Sequence, residues 1–182
     1  KIVMQSLSKI PAEAVFSYPD LDVLYDKVAT FSGVLPENIL LTAGSDGAIR
    51  ACFESCIQSG DGIVLSRPTF AMYEVYSKVY DANITWLDYE RSAKGPILEV
   101  AKVVSVIKET KPKMVCLPNP DSPTGTVFSL IDLRKIIDAA EDAGALILID
   151  EAYHPIYQET VVPWINECKH LVVVRSFSKA WG

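Results

Sequence analysis

Six short β-rich runs, residues 39–43 (ILLTA), 62–66 (GIVLS), 83–87, 113–117, 145–150 and 170–175, alternate along the chain with segments of helical period. No other feature limits the fold as strongly. Several runs are apolar throughout, as strands covered on both faces must be. Between them, residues 45–57 place Ile49, Cys52, Phe53, Cys56 and Ile57 three and four apart, with Gly60 beyond. Ser129 reads as an N-cap with Asp132 three residues on; Leu133, Ile136, Ile137 and Ala140 form the stripe and Gly144 the stop. Further helices are expected at 100–107, 70–80 and 21–31, the last with Leu24, Val28 and Phe31 on one side. The alternation implies an α/β fold, a three-layer sandwich around a mostly parallel sheet.

Composition narrows the function. At 182 residues, the chain has the length of one generous domain, expected over 1–182. An apolar share of 49% and a charged share of 22% exclude a disordered chain. Seventeen basic residues against 23 acidic ones give a net charge of −6, and no stretch gathers Lys and Arg on one face, so no nucleic-acid partner is expected. The longest apolar run, 143–149, falls far short of the ~18 residues a membrane span needs. Cys52, Cys56, Cys116 and Cys168 lie in apolar segments without CxxC spacing. With only His154 and His170 available, no sensible ligand set completes a metal site around Cys52 and Cys56, so no metal is expected. All four read as buried, reduced thiols, which points to a reducing, cytoplasmic setting.

In such sheets, ligands collect at the carboxyl ends of the strands. After 39–43 come Gly44, Ser45 and Asp46 and then a helix, whose free N–H groups make an anion site. After 62–66 comes Arg67-Pro68-Thr69-Phe70, with an aromatic ring at the sheet edge. After 113–117, three prolines and a glycine within 118–125 make a pre-set loop carrying polar side chains. After 145–149 come Asp150, Glu151, Ala152 and Tyr153; an acid closing an apolar strand is costly unless it meets a positive partner. After 170–175 comes Lys179 between hydroxyl residues Ser176 and Ser178. Singly, Ser45 reads as a plain N-cap, Phe70 as core, Asp150 as a cap and Lys179 as a surface charge. Together they supply an anion cradle, an aromatic lid, an acid and an amine, the set demanded by pyridoxal 5′-phosphate (PLP).

The motifs Tyr18-Pro19-Asp20, Ala43-Gly44-Ser45-Asp46, Pro68-Thr69-Phe70-Ala71-Met72-Tyr73, Ser122-Pro123-Thr124-Gly125, Asp150-Glu151-Ala152-Tyr153 and Ser176-Phe177-Ser178-Lys179-Ala180 follow in order nearly end to end. In this the sequence resembles the fold type I PLP-dependent aminotransferases of class I/II, and within them the histidinol-phosphate aminotransferase-like branch. The resemblance implies transamination between an amino acid, or an amino-phosphate such as histidinol phosphate, and a 2-oxo acid. It implies Lys179 as the Schiff-base lysine and general base, its basicity lowered by burial and by the cofactor's positive charge. Asp150 is implied at the ring nitrogen and Tyr153 at the ring hydroxyl. The amides of Ser45 and Asp46, with the hydroxyls of Ser176 and Ser178, are implied at the phosphate, and Phe70 on the ring face. Tyr18 is implied at the phosphate of a partner subunit, hence a homodimer.

Two positions depart from the family's pattern. Ser122 stands where Asn usually precedes Pro-Thr-Gly, with Asp121 or a water available to help; Phe70 lacks the polar handle that Tyr or Trp would bring. The resemblance also implies that this chain is a large-domain fragment, with the small C-terminal domain and the substrate-carboxylate arginine outside it and little activity alone. Competing readings are a PLP-dependent decarboxylase of a phosphorylated amino acid and a non-catalytic PLP-binding regulatory module. A nicotinamide dehydrogenase is disfavoured because no GxGxxG follows any strand.

Overall fold

Residues 114–118 and 146–149 contain no charged side chain, so a sheet built from them must be covered on both faces. The computed structural model, which describes residues 2–93 and 95–181, shows that arrangement. The outermost residues of the expected 1–182 span, Lys1 and Gly182, lie outside the described residues. The chain forms two compact units, Lys1–Leu40 and Leu41–Gly182. The first contains helices α1 (Ile2–Leu7), α2 (Glu13–Phe16) and α3 (Asp22–Ser32), and a 3-10 turn at Pro36–Asn38 against which α3 packs. On α3, Leu24 and Phe31 are exposed and the buried residue is Ala29.

The second unit runs α4 (Gly44–Cys56), β1 (Gly62–Arg67), α5 (Ala71–Val79), β2 (Asn83–Asp88), β3 (Glu90–Ser92), β4 (Gly95–Ile97), α6 (Val100–Thr110), β5 (Met114–Pro118), α7 (Leu130–Asp142), β6 (Leu146–Asp150), a 3-10 turn (Val162–Trp164), β7 (Leu171–Val174) and α8 (Phe177–Ala180). Its main sheet has the order β2-β1-β5-β6-β7, with every neighbouring pair parallel. Strand order reverses between β1 and β5, the place where open α/β sheets form a crevice.

Alternate side chains of the strands enter opposite cores. Val64, Val115, Leu117, Ile147 and Ile149 pack with Val103 and Ile107 of α6 and with Leu133, Ile136 and Ile137 of α7. Ile63, Leu65, Met114, Cys116 and Leu148 pack with Ile49 and Phe53 of α4 and with Tyr73 and Tyr76 of α5. Truncating one such Leu or Ile to Ala costs about 2–5 kcal/mol, since the packed shell closes poorly over the gap. The Ser129 cap forms as read, its Oγ accepting from the Asp132 N–H at 3.2 Å.

Residues 39–43 form no strand. Their composition favours an extended backbone, but the sheet ends at β7 and, among the described residues, no neighbour offers them a ladder. The β3–β4 hairpin and the short helices α1 and α2 were not expected. Cys116 and Cys168 are buried thiols, whereas Cys52 and Cys56 on α4 are only half-buried. Among the described residues, no three His, Cys, Asp or Glu side chains gather where a metal could be held, and no helix is long and apolar enough to cross a membrane.

Candidate active site

β6 ends on Asp150, which is 5% exposed. The Ala152 N–H donates to its Oδ1 at 2.9 Å, and the hydroxyl of Tyr73, a fully buried residue, donates to its Oδ2 at 2.8 Å. Burial pushes the carboxyl above its ordinary range, while these two donors pull it back. Among the described residues, the recorded partners of this carboxylate are these two neutral donors, which take two of its roughly four acceptor sites and leave open acceptor sites for a further donor. The cation goes to the next residue. Arg175 donates to Glu151 Oε2 through Nη2 at 2.9 Å and Nε at 3.0 Å, while Oε1 accepts from the Val161 N–H at 2.8 Å.

Parallel pairing sets Asp150 opposite Val174 at the end of β7. Two residues on, Ser176 caps α8: its Oγ accepts from the Ser178 N–H at 3.1 Å and donates to Ser178 Oγ at 3.0 Å. Lys179 follows, with Nζ 5.5 Å from the centroid of the half-buried Tyr153 ring. Read as a buried amine, Lys179 is instead exposed, because β7 is an edge strand and α8 is a single turn beyond it.

α4 begins at Gly44, one residue earlier than read, so Ser45 lies inside its first turn and is not its cap. Ala43 precedes the helix and makes no side-chain capping bond. The first-turn N–H groups of Ser45 and Asp46 thus have no such cap, and they carry the positive end of the helix dipole. A Cβ on Gly44 would lie 4.0 Å from Ser176 Oγ, which puts this turn beside that hydroxyl. The Asp46 carboxylate is turned to Tyr76, whose hydroxyl donates to it at 3.0 Å.

Phe70 immediately precedes α5, is 39% exposed and meets Tyr73 edge-on, with ring centroids 6.2 Å apart. Ser122 is half-buried in the loop between β5 and α7. That loop is closed at its base by Asn119, whose Oδ1 accepts from the Phe128 N–H at 2.7 Å and whose Nδ2 donates to the Phe128 carbonyl at 3.3 Å. Asp121, expected to be available beside Ser122, is committed elsewhere: its carboxylate accepts from Ser66, Thr69 and Tyr89. Tyr18 is fully exposed in the first unit, whereas every other candidate lies in the second.

The roles of Tyr73 and of the Glu151–Arg175 pair escaped the sequence reading, as did the three hydroxyls that meet Asp121. A tyrosine three residues after Phe70, on the buried side of an expected helix, was the one available signal for the first. Together, an open-ended helix turn beside a hydroxyl, a buried acid, an amine and a ring face are groups that fit a phosphorylated, cationic ring bearing a carbonyl.

The family described as aminotransferase class I and II matches residues 3–182. The chain belongs to this family. It is 35% identical over 179 residues to a histidinol-phosphate aminotransferase of Thermoanaerobacter pseudethanolicus, covering 98% of this chain and 49% of that protein. The chain thus spans about half the length of the curated relatives it matches. A solved histidinol-phosphate aminotransferase of Sinorhizobium meliloti in complex with pyridoxal-5′-phosphate shares the fold with a TM-score of 0.82 at 21% identity, over 94% of this chain and 46% of that one. A PLP-dependent aminotransferase of Streptococcus suis is similar at 28% identity with a TM-score of 0.76, over 99% and 51% of the two chains.

Proposed function

We propose that this chain forms the cofactor-holding core of a PLP-dependent aminotransferase. Its substrates are an amino acid, or an amino-phosphate such as histidinol phosphate, and a 2-oxo acid. The observation that carries the reading is a pair of neighbouring strand ends. β6 closes on buried Asp150, and the turn after the adjacent β7 sets the Lys179 amine against Tyr153.

When bound, PLP draws electrons from the substrate's Cα and so acidifies the proton there. The chain's own groups do the rest. Lys179 Nζ would anchor the cofactor covalently and, once released by substrate, take the Cα proton as general base. Asp150 would keep a proton on the ring nitrogen through its open acceptor sites, with Tyr73 and the Ala152 N–H holding the carboxylate still. Tyr153 would donate to the ring hydroxyl, Ser122 would face the same oxygen, and Phe70 would cover the ring. The Ser45 and Asp46 amides and the Ser176 and Ser178 hydroxyls would take the phosphate, with Tyr18 reaching the phosphate site of a second copy in a cytoplasmic homodimer.

The test is to add PLP to the full-length protein, reduce with borohydride, digest and locate the pyridoxyl group by mass spectrometry. A single adduct on Lys179 supports the reading; scattered adducts on surface lysines, or none, overturn it. Product analysis then fixes the reaction, since conversion of the amino group to a carbonyl, giving an oxo acid or an oxo-phosphate, marks transamination and released carbon dioxide a decarboxylase.

A further inference from the structure

Three acids are buried at the carboxyl edge of this sheet, Asp121, Asp150 and Glu151; Glu151 is paired with Arg175, and of the remaining two the reaction above uses only Asp150. The other, Asp121, is 2% exposed and lies in the β5–α7 loop, beside the strand-order reversal. Its Oδ2 accepts from the Ser66 hydroxyl at 2.7 Å and from the Tyr89 hydroxyl at 2.6 Å, and its Oδ1 accepts from the Thr69 hydroxyl at 2.9 Å. Its backbone is fixed as well, the N–H donating to the Thr126 carbonyl at 2.9 Å and the carbonyl accepting from the Gly125 N–H at 2.8 Å. Among the described residues, the partners recorded for this side chain are three hydroxyls and the Ser122 backbone N–H rather than a cation.

The donors come from separate segments. Ser66 lies near the end of β1, Thr69 directly before Phe70, and Tyr89 directly after β2. Asp121 itself directly precedes Ser122. One carboxylate therefore ties the backbone carrying the ring-covering candidate to the backbone carrying the ring-oxygen candidate.

The chemistry explains why an acid stands here. A hydroxyl has one proton to give, so a side chain meeting three hydroxyl protons must be acceptor-only. A carboxylate meets that demand; an amide of the same size offers one oxygen and turns two protons of its own toward the hydroxyls. Burying an acid is costly even when its oxygens are bonded, which makes a purely space-filling role a poor account of it.

We propose that Asp121 is a positioning residue that sets Phe70 and Ser122 relative to each other across the mouth of the cofactor site. The proposal rests on the PLP reading and goes beyond it, since it has Asp121 act through Phe70 and Ser122.

The experiment measures the PLP dissociation constant and the visible circular dichroism of bound PLP, in the full-length protein, for wild type, Asp121→Asn, Thr69→Val and Thr69→Ser. Asp121→Asn is expected to weaken PLP binding about tenfold and to alter the dichroic band. Thr69→Val keeps the shape, removes one donor and is expected to weaken binding several-fold; Thr69→Ser, which restores the hydroxyl, is expected to recover wild-type behaviour. Should Asp121→Asn fail to fold, the two Thr69 variants decide. Wild-type affinity and dichroism in Asp121→Asn or Thr69→Val, with only the melting temperature lowered, would reduce Asp121 to a structural tie and overturn the proposal. A wild-type protein that binds no PLP would overturn the functional reading, and this one with it.

Discussion

The loop after β5 and the turn after β7 leave the same edge of one sheet, yet they are held in opposite ways. In the first, Asn119 and Asp121 fasten the backbone at several points, and both are nearly inaccessible to water. In the second, Ser176 caps a single helical turn and Lys179 stands exposed, meeting only the face of Tyr153 among its recorded partners. The contrast follows from what each region must do. A surface that orients a flat ring gains from rigidity, because a misplaced contact is lost in the transition state. An amine that must bind, leave and then carry a proton gains from a flexible stem and an unencumbered head. Between them lies the end of β6, where Asp150 belongs to the rigid kind and Glu151 ties the loop 151–162 to β7 through Arg175.

The contrast breaks most completely at the exposed end. Lys179→Ala removes the amine and is expected to abolish turnover and the borohydride-trapped adduct together, as mass spectrometry and a product assay would show; comparable turnover would mean another base acts. Next, Asp150→Ala is expected to slow proton removal by orders of magnitude and to weaken PLP binding, followed by hydrogen–deuterium exchange at the substrate's Cα. An unchanged rate would free Asp150 from the ring nitrogen. Glu151→Ala leaves the part-buried Arg175 with Thr160 and the Val161 N–H without its acceptor, and is expected to cost about 1–3 kcal/mol in denaturant unfolding. A loss below about 1 kcal/mol would show that the β6–β7 tie is dispensable. Asn119→Ala leaves the Phe128 N–H and carbonyl unpaired and is expected to cost about 1–3 kcal/mol of stability. Its effect on PLP affinity, compared with that of Asp121→Asn, separates closure of the loop from its alignment.

Much of this frame was legible in the sequence because it depends on local pattern. β5 is an unbroken apolar run and β6 is one up to Asp150, and α7 carries its own start and stop in Ser129 and Gly144. What escaped depends on partners distant in sequence. Residues 39–43 have the residues of a strand, but pairing belongs to the neighbour, which composition cannot supply. Asp150 was visible as an acid closing an apolar strand, whereas its donor Tyr73 lies 77 residues away and a hydroxyl leaves no periodic trace. Asp121 reads in the sequence as a helper of Ser122, whereas three hydroxyls from separate segments meet on it. The exposure of Lys179 was hidden for a different reason: a β-rich run gives no indication of which strand stands at the sheet's edge.

The uncapped start of α4 has a consequence for measurement. A helix whose first amides lack a side-chain cap exchanges those protons with solvent at a rate set by whatever meets them. An anion seated there slows exchange at Ser45 and Asp46, while the amides near Cys56, shielded by their own helical bonds, keep their pace. The first turn of α4 is thus a built-in gauge of occupancy, readable amide by amide in a resting protein that turns over no substrate.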